Sequence, residues 1–230
     1  MLRVLGRVGV GVTTFTWEPD QVWSTPSLPL PDRGKCMARA CDGTVLETLA
    51  PAHGRVFEEE ELWRNLEYFL SKVLPVAKEC NVHLALHPND PPTAHPIAGV
   101  PPLMRSRAAF ERAFSIAEEL GYGEWLQMEF CCGCWLEGGE GFGDLYEDVK
   151  EFARRGKIAI VHLRNVTSPL PKFVETYIDG GYGDLMQVLE ILVQEEYNGT
   201  VILDHTPQFT PSAGPAAATA FAIGWMKAAI

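Results

Sequence analysis

Four side chains of metal-ligating type close four apolar runs in this 230-residue chain. His87 ends HLALH, Cys131 follows WLQMEF, His162 stands near the end of IAIVHLRN, and Asp204 closes VILD. Two imidazoles, a thiolate and a carboxylate form a set of borderline softness suited to a divalent transition metal. An ion that accepts five or six ligands would keep positions for substrate oxygens, as a Lewis-acid catalyst needs. Each residue also has a plain structural reading. A strand-end histidine often satisfies only a hydrogen bond, Asp204 before His205 suits a turn, and a free cysteine commonly packs as a small hydrophobe. Cys131 and Cys134 make a C-x-x-C, so thiol–disulfide chemistry competes. Such motifs normally open a helix, and Gly133, Trp135 and the GGEGFG that follows are poor helix starters. Four candidate ligands on successive strand ends outweigh the separate readings.

The set has meaning only if those runs are neighbouring strands of one parallel sheet. Val82, Leu84 and Leu86 alternate with His83, Ala85 and His87, and Pro88, Pro91 and Pro92 stop the run. Similar runs occupy Val8–Phe15, Trp125–Phe130, Ile158–Arg164 and Val201–His205. Helical patterns separate them: Glu58–Glu79 with Leu62, Leu66, Phe69, Leu70 and Val73, then Ser106–Leu120, Leu145–Arg155 and Leu185–Glu196. Strands alternating with helices of this length predict right-handed βαβ units, a parallel sheet, and a site at its C-terminal edge. The expected fold is therefore α/β, as one domain over residues 1–230. Residues 16–57 read as a long irregular excursion with Pro19, Pro26, Pro29, Pro31 and Pro51, and at best a hairpin turning at Asp42-Gly43. A final Ala-rich helix closes the chain.

Composition narrows the partners. A formal net charge of −11 argues against nucleic acid or an anionic membrane surface. No apolar run is long enough to span a bilayer. MLRVLGRVGVGVTTF lacks the pattern of a signal peptide. The six cysteines, three of them crowded at 131, 132 and 134, do not resemble a secreted disulfide framework, so a cytoplasmic setting is expected.

The blocks HPNDPP, PIAGVPPLMRS, FCCGCW, VHLRNV, DGGYGDLMQVLEIL and ILDHTPQF stand in the order found in mannonate dehydratases. From about Val8 onward the chain resembles that family, a relative of the xylose-isomerase-like barrels. The resemblance implies a (β/α)-barrel of TIM type and a divalent metal, Mn²⁺ before Fe²⁺, Co²⁺ or Zn²⁺. It implies conversion of D-mannonate to 2-keto-3-deoxy-D-gluconate with loss of water. Position by position it implies His87, Cys131, His162 and Asp204 as metal ligands. It places Arg164 and His205 around the substrate, and Asp90 and Arg33 in segments lining the site.

The residues are chemically suited to those roles. Arg164 shares the parity of His162 and can point into the same cavity, towards an acid group or developing charge, or into a structural ion pair. His205 neighbours a ligand and is of a residue type that can titrate near neutrality, which makes it the candidate general acid or base, or else a histidine that only supports the metal site. Asp90 either caps its turn or touches substrate, and Glu129, on the face of Cys131, either orients a ligand or balances charge. Two departures from the family bear on turnover. Only five strands are legible, so the barrel reads as incomplete or irregular on its N-terminal side, with an edge that expects a partner copy. The family's loop tyrosine after the Asp-His pair is absent from TPQFTPSAGPA, so weak turnover is expected. An isomerase or epimerase on the same scaffold, and a non-catalytic metal-binding homologue, are the competing readings.

Overall fold

The structure, a computed structural model, describes residues 1–30, 33–34, 36–207, 209 and 214–229. In chain order the elements are α1 (Leu2–Val8), β1 (Val12–Thr16), β2 (Thr25–Pro29), β3 (Met37–Asp42), α2 (Gly43–Leu46), α3 (Glu59–Cys80), β4 (His83–His87), α4 (Arg107–Glu119), β5 (Leu126–Cys131), α5 (Cys132–Gly138), α6 (Leu145–Arg154), β6 (Ile158–His162), β7 (Lys172–Val174), α7 (Leu185–Gln194), β8 (Thr200–Ile202) and α8 (Gly214–Ala229). Five strands form one parallel sheet in the order β1-β4-β5-β6-β8, curled as half of a (β/α) barrel. All five therefore end at the same rim. The expected fold class is the one observed, with five barrel strands among the described residues.

The sheet reads as it does because both faces are covered. Leu84, Ala85 and Leu86 in the middle of β4 are all buried, so the strand is a continuous apolar run between polar ends. Helix α3 turns Leu62, Leu66, Leu70, Leu74 and Ala77 inward at helical spacing, then stops at Asn81 in the left-handed conformation (φ 54°). Two residues later the chain is already in β4. Around α5, Trp135 stacks on Phe130 and packs tilted against Phe142, each with ring centroids 4.1 Å away, and its indole N–H donates to Asp148 at 2.9 Å.

A second, antiparallel sheet of order β2-β3-β7 lies within and beyond the stretch expected to be irregular. Residues 16–57 thus hold two strands and the short helix α2. The hairpin at Asp42-Gly43 does not form. Asp42 instead ends β3 and caps α2, accepting from the Thr44 N–H at 3.1 Å, while β3 pairs with β2 and β7. Local turn chemistry could not reveal a partner strand some 130 residues away.

Strand boundaries shift in a consistent way. The run at Val8–Phe15 is split: α1 ends at Gly9 (φ 79°), and the strand begins only at Val12. The run from Trp125 begins with a 3₁₀ turn over Gly123–Trp125 and extends to Cys131. Strands β6 and β8 stop at His162 and Ile202, which leaves Arg164, Asp204 and His205 on loops past the rim. The expectation about Cys131–Cys134 is also corrected, because α5 starts at Cys132 with Cys131 as its N-cap residue. Gly133 is tolerated there for a packing reason: a Cβ on it would collide with the Arg164 guanidinium. The loop after His205 lies largely outside the described residues.

Candidate metal centre

Register brings the ligand types together. In the parallel ladder Thr16 pairs with His87, Cys131 pairs with His162, and His162 pairs with Ile202. One donor atom each from His87, Cys131 and His162 lies within 4.8 Å of the other two. His87 Nδ1 is 2.7 Å from the Pro88 carbonyl oxygen. That oxygen can only accept, so Nδ1 carries the hydrogen and Nε2 keeps its lone pair. His162 Nε2 is 2.6 Å from Glu129 Oε1, which fixes its ring in the same manner. Its other nitrogen, Nδ1, is buried with no hydrogen-bond partner among the described residues. A buried imidazole nitrogen left unpaired is costly. A divalent ion is the group that this donor set fits.

Asp204 stands at the margin of the trio. Two residues past β8, it adopts φ 62°, a left-handed conformation uncommon outside glycine. Its Oδ2 lies 3.6 Å from His162 Nδ1, 3.4 Å from Arg164 Nε and 3.7 Å from His205 Nε2. The strain holds a carboxylate beside the buried, unpaired Nδ1 of His162.

The electrostatics favour a thiolate. Burial resists ionisation of Cys131, but a hydrogen bond from Cys134, the charge of Arg164 and bonds to both imidazoles hold its thiol well below the usual range. Burial likewise opposes a charge on His162, yet Asp204, Cys131 and Glu129 push it up to about 12. His87 is raised too, against its burial, by Cys131. An incoming cation must therefore displace a proton from His162, so its affinity rises with pH. Glu129→Gln should weaken metal retention about 10–100-fold, because the carboxylate holds the ring that presents Nδ1. Competition against a chelator measures this, and unchanged affinity would remove Glu129 from the site.

Behind the trio lies a buried ion network that sequence reasoning largely missed. Arg164 Nη1 donates to Asp90 at 2.8 Å and to Glu175 at 2.6 Å. Its Nη2 lies 2.9 Å from Glu137, off hydrogen-bond alignment, 3.4 Å from Cys134 Sγ and 3.6 Å from Cys131 Sγ. Arg39, on β3, donates to Asp90 at 2.7 Å and to Glu175 at 2.8 Å. The small sheet places this pair, since Glu175 directly follows β7 and its N–H bonds the Arg39 carbonyl. Burial holds the Glu137 carboxyl well above its usual range, while the arginines hold Asp90 down at about 2 despite its burial. Two carboxylates then balance two guanidiniums. Arg39, Glu137 and Glu175 had a faint signal: each is a charge inside an otherwise apolar or β-rich stretch (MARAC, CWLEG, KFVET). The acid groupings Asp90–Cys134–Glu137 and Asp90–Glu175–His205 are both served by Arg164, so neither calls for a second ion.

The remaining candidates divide. His205 joins the site: its Nδ1 is 3.0 Å from Glu175 Oε2, its Nε2 faces Arg164 at 3.3 Å, and half of its side chain is open to solvent. Asp90 is in the network and not a simple turn cap. Arg33 is not brought to the trio. It pairs with Asp179 at 2.7 Å, lies over the Tyr177 ring, and borders a separate cleft of about 420 Å³. Neither loop tyrosine substitutes for the absent one. Tyr182 donates to the Leu136 carbonyl, and Tyr177 packs with Phe209 and Phe221.

With this geometry described, the relatives can be compared. The sequence pattern of the D-mannonate dehydratase (UxuA) family matches residues 44–217. A mannonate dehydratase of Oceanobacillus iheyensis is 34% identical over 187 residues, which is 79% of this chain and 48% of that protein. The crystal structure of mannonate dehydratase from Streptococcus suis serotype 2 superposes with a TM-score of 0.84 at 26% identity, covering 99% of this chain and 66% of that one. An IOLI protein solved with a bound zinc atom shares the fold alone, at TM-score 0.56 and 15% identity. The chain spans about half the length of the curated relative from Oceanobacillus. No helix among the described residues is long and apolar enough to cross a membrane. Pattern, identity and superposition agree: the chain belongs to the mannonate dehydratase family.

Proposed function

We propose that this chain carries the metal-binding site of a sugar-acid dehydratase that converts D-mannonate to 2-keto-3-deoxy-D-gluconate and water. The observation that supports it most is the unpaired, buried Nδ1 of His162, set beside Cys131 and His87 on adjacent strand ends in a chain of this family. His87, Cys131 and His162 would hold the ion, with Asp204 as the fourth ligand, and Mn²⁺ is the ion proposed. When bound, it supplies Lewis acidity that lowers the cost of removing the proton next to the acid's carboxylate. His205 is the residue that moves a proton. Glu175 anchors its Nδ1, its Nε2 lies between Arg164 and Asp204, and half of the side chain stays open to solvent, where a substrate would enter. Arg164 acts as a positioning residue, since protein carboxylates and sulfurs already occupy its fork.

The test is to incubate Mn²⁺-loaded protein with D-mannonate and follow release of the 2-keto-3-deoxy acid. Release above the metal-free control is expected, and His205→Ala should lower it by about 10²–10⁴-fold. Solvent deuterium entering C2 without release would favour an epimerase instead. Neither release nor exchange in the metal-loaded protein would sink the reading.

A further inference from the structure

A cavity of about 410 Å³ opens at the end of β1, and the site described above does not use it. Thr16, Trp17, Glu18, His53, Phe57 and Asn65 are among its lining residues. Its volume lies within the range of small-molecule sites. Thr16 is the register partner of His87, and adjacent strands are about 4.8 Å apart, so the cavity begins beside a metal ligand. Its wall is tied to the ion network as well: Glu18 Oε1 accepts from the backbone N–H of Asp90 at 2.8 Å.

Two of the lining residues each carry a polar atom without a partner among the described residues. Trp17 Nε1 and Glu18 Oε2 are both buried with no hydrogen-bond partner among the described residues. The first can only donate and the second can accept. Leaving both unmade in a folded protein is costly unless a ligand or water completes them. A hydroxyl does both jobs, and the Asn65 amide adds a further donor and acceptor. Trp17 and Phe57 contribute aromatic surface, which suits the C–H faces of a carbohydrate chain. Anions are disfavoured here, because Glu18 is acidic and His53 is already paired with Asp20 at 2.7 Å. Donor, acceptor and aromatic surface without a free cation describe a receptor for neutral hydroxyls.

We propose that this cavity is a polyol subsite, taking the hydroxylated chain of a sugar acid whose carboxylate end lies at the metal centre. The assignment of the carboxylate end rests on the dehydratase reading. The subsite would select long sugar acids over short 2-hydroxy acids.

The experiment follows the tryptophan indole ¹H–¹⁵N signals of the protein loaded with diamagnetic Mg²⁺, with Trp17 identified by its loss in Trp17→Phe. D-mannonate, glycerate and the neutral polyol mannitol are titrated in turn. D-mannonate and mannitol should shift the Trp17 signal, and glycerate should not. Trp17→Phe and Asn65→Ala should each weaken D-mannonate about tenfold, as expected for one lost hydrogen bond, with metal content and glycerate affinity unchanged. Asn65 is exposed on α3, so its variant keeps the test independent of folding. A Trp17 signal unmoved by both D-mannonate and mannitol would overturn the subsite. Mannitol shifting Trp17 while D-mannonate fails to bind would keep the polyol site and remove the sugar-acid reading.

Discussion

Replacing His162 by alanine is expected to leave the purified protein without its divalent ion, while the fold survives. The trio supplies three close donors, and the His162 Nδ1 is buried with no hydrogen-bond partner among the described residues. Outer partners of a ligand are typically worth about 10–100-fold in metal affinity, so losing the ligand itself should cost more than about 100-fold. Cys131→Ala should behave alike, because the thiolate is the only anionic member of the trio. Cys132→Ser should keep the metal. Burial holds the Cys132 thiol well above its usual range, and the close grouping does not include it. Cys134→Ser should also keep it, since a hydroxyl can still donate to the Cys131 sulfur as the Cys134 thiol does. Metal analysis of the four variants, with circular dichroism as the folding control, decides the matter. Stoichiometric metal in His162→Ala would remove the trio as the binding site. Loss of metal in both Cys132→Ser and Cys134→Ser would point to a thiolate-rich structural site.

The trio was readable in the sequence because each member ends or follows a short apolar run, and parallel register then does the rest. Periodicity carries no information on what lies past a strand end. Asp204 and His205 were read as the end of a strand, yet they sit on a loop whose left-handed turn at Asp204 aims the carboxylate. Long-range pairing was equally hidden. Arg39 and Glu175 meet only because β3 and β7 are neighbours in the small sheet, across a separation no local pattern spans. The doubt cast on a helix at C-x-x-C failed for a related reason. Gly133 is a poor helix former in isolation, but here its missing Cβ is the space that the Arg164 side chain occupies. The arginine itself was expected to share the cavity of His162, and it does reach Cys131 and Asp204. Its occupied fork became visible only in three dimensions.

That occupied fork predicts the largest stability effect in the molecule. Arg164 is 2% exposed, and Asp90, Glu137 and Glu175 around it are all buried. Removing one partner of a buried ion pair leaves uncompensated charge in a poor solvent, a loss of about 3–5 kcal/mol. Arg164→Ala should therefore lower the urea midpoint sharply, and Arg164→Lys should rescue little. A single ammonium cannot span Asp90 and Glu175 on one side and Glu137 and Cys134 on the other. Gly133→Ala should reproduce part of the loss without touching any charge, because the new methyl displaces the guanidinium. The acid limb gives an independent check. Arg164 and Arg39 hold the Asp90 carboxyl at about 2, below its unfolded value of 3.8. The folded value is the lower one, so this stability is present above pH 4 and is lost as pH falls from about 4 towards 2. It amounts to about 2 kcal/mol. In Arg164→Ala that acid-induced loss should shrink. Urea unfolding at pH 7 and at pH 3 measures both effects on the same proteins. An unfolding free energy within about 1 kcal/mol of the parent, with the acid limb unchanged, would mean that Arg39 alone carries the network. Arg164 would then be free to turn its fork towards a substrate carboxylate.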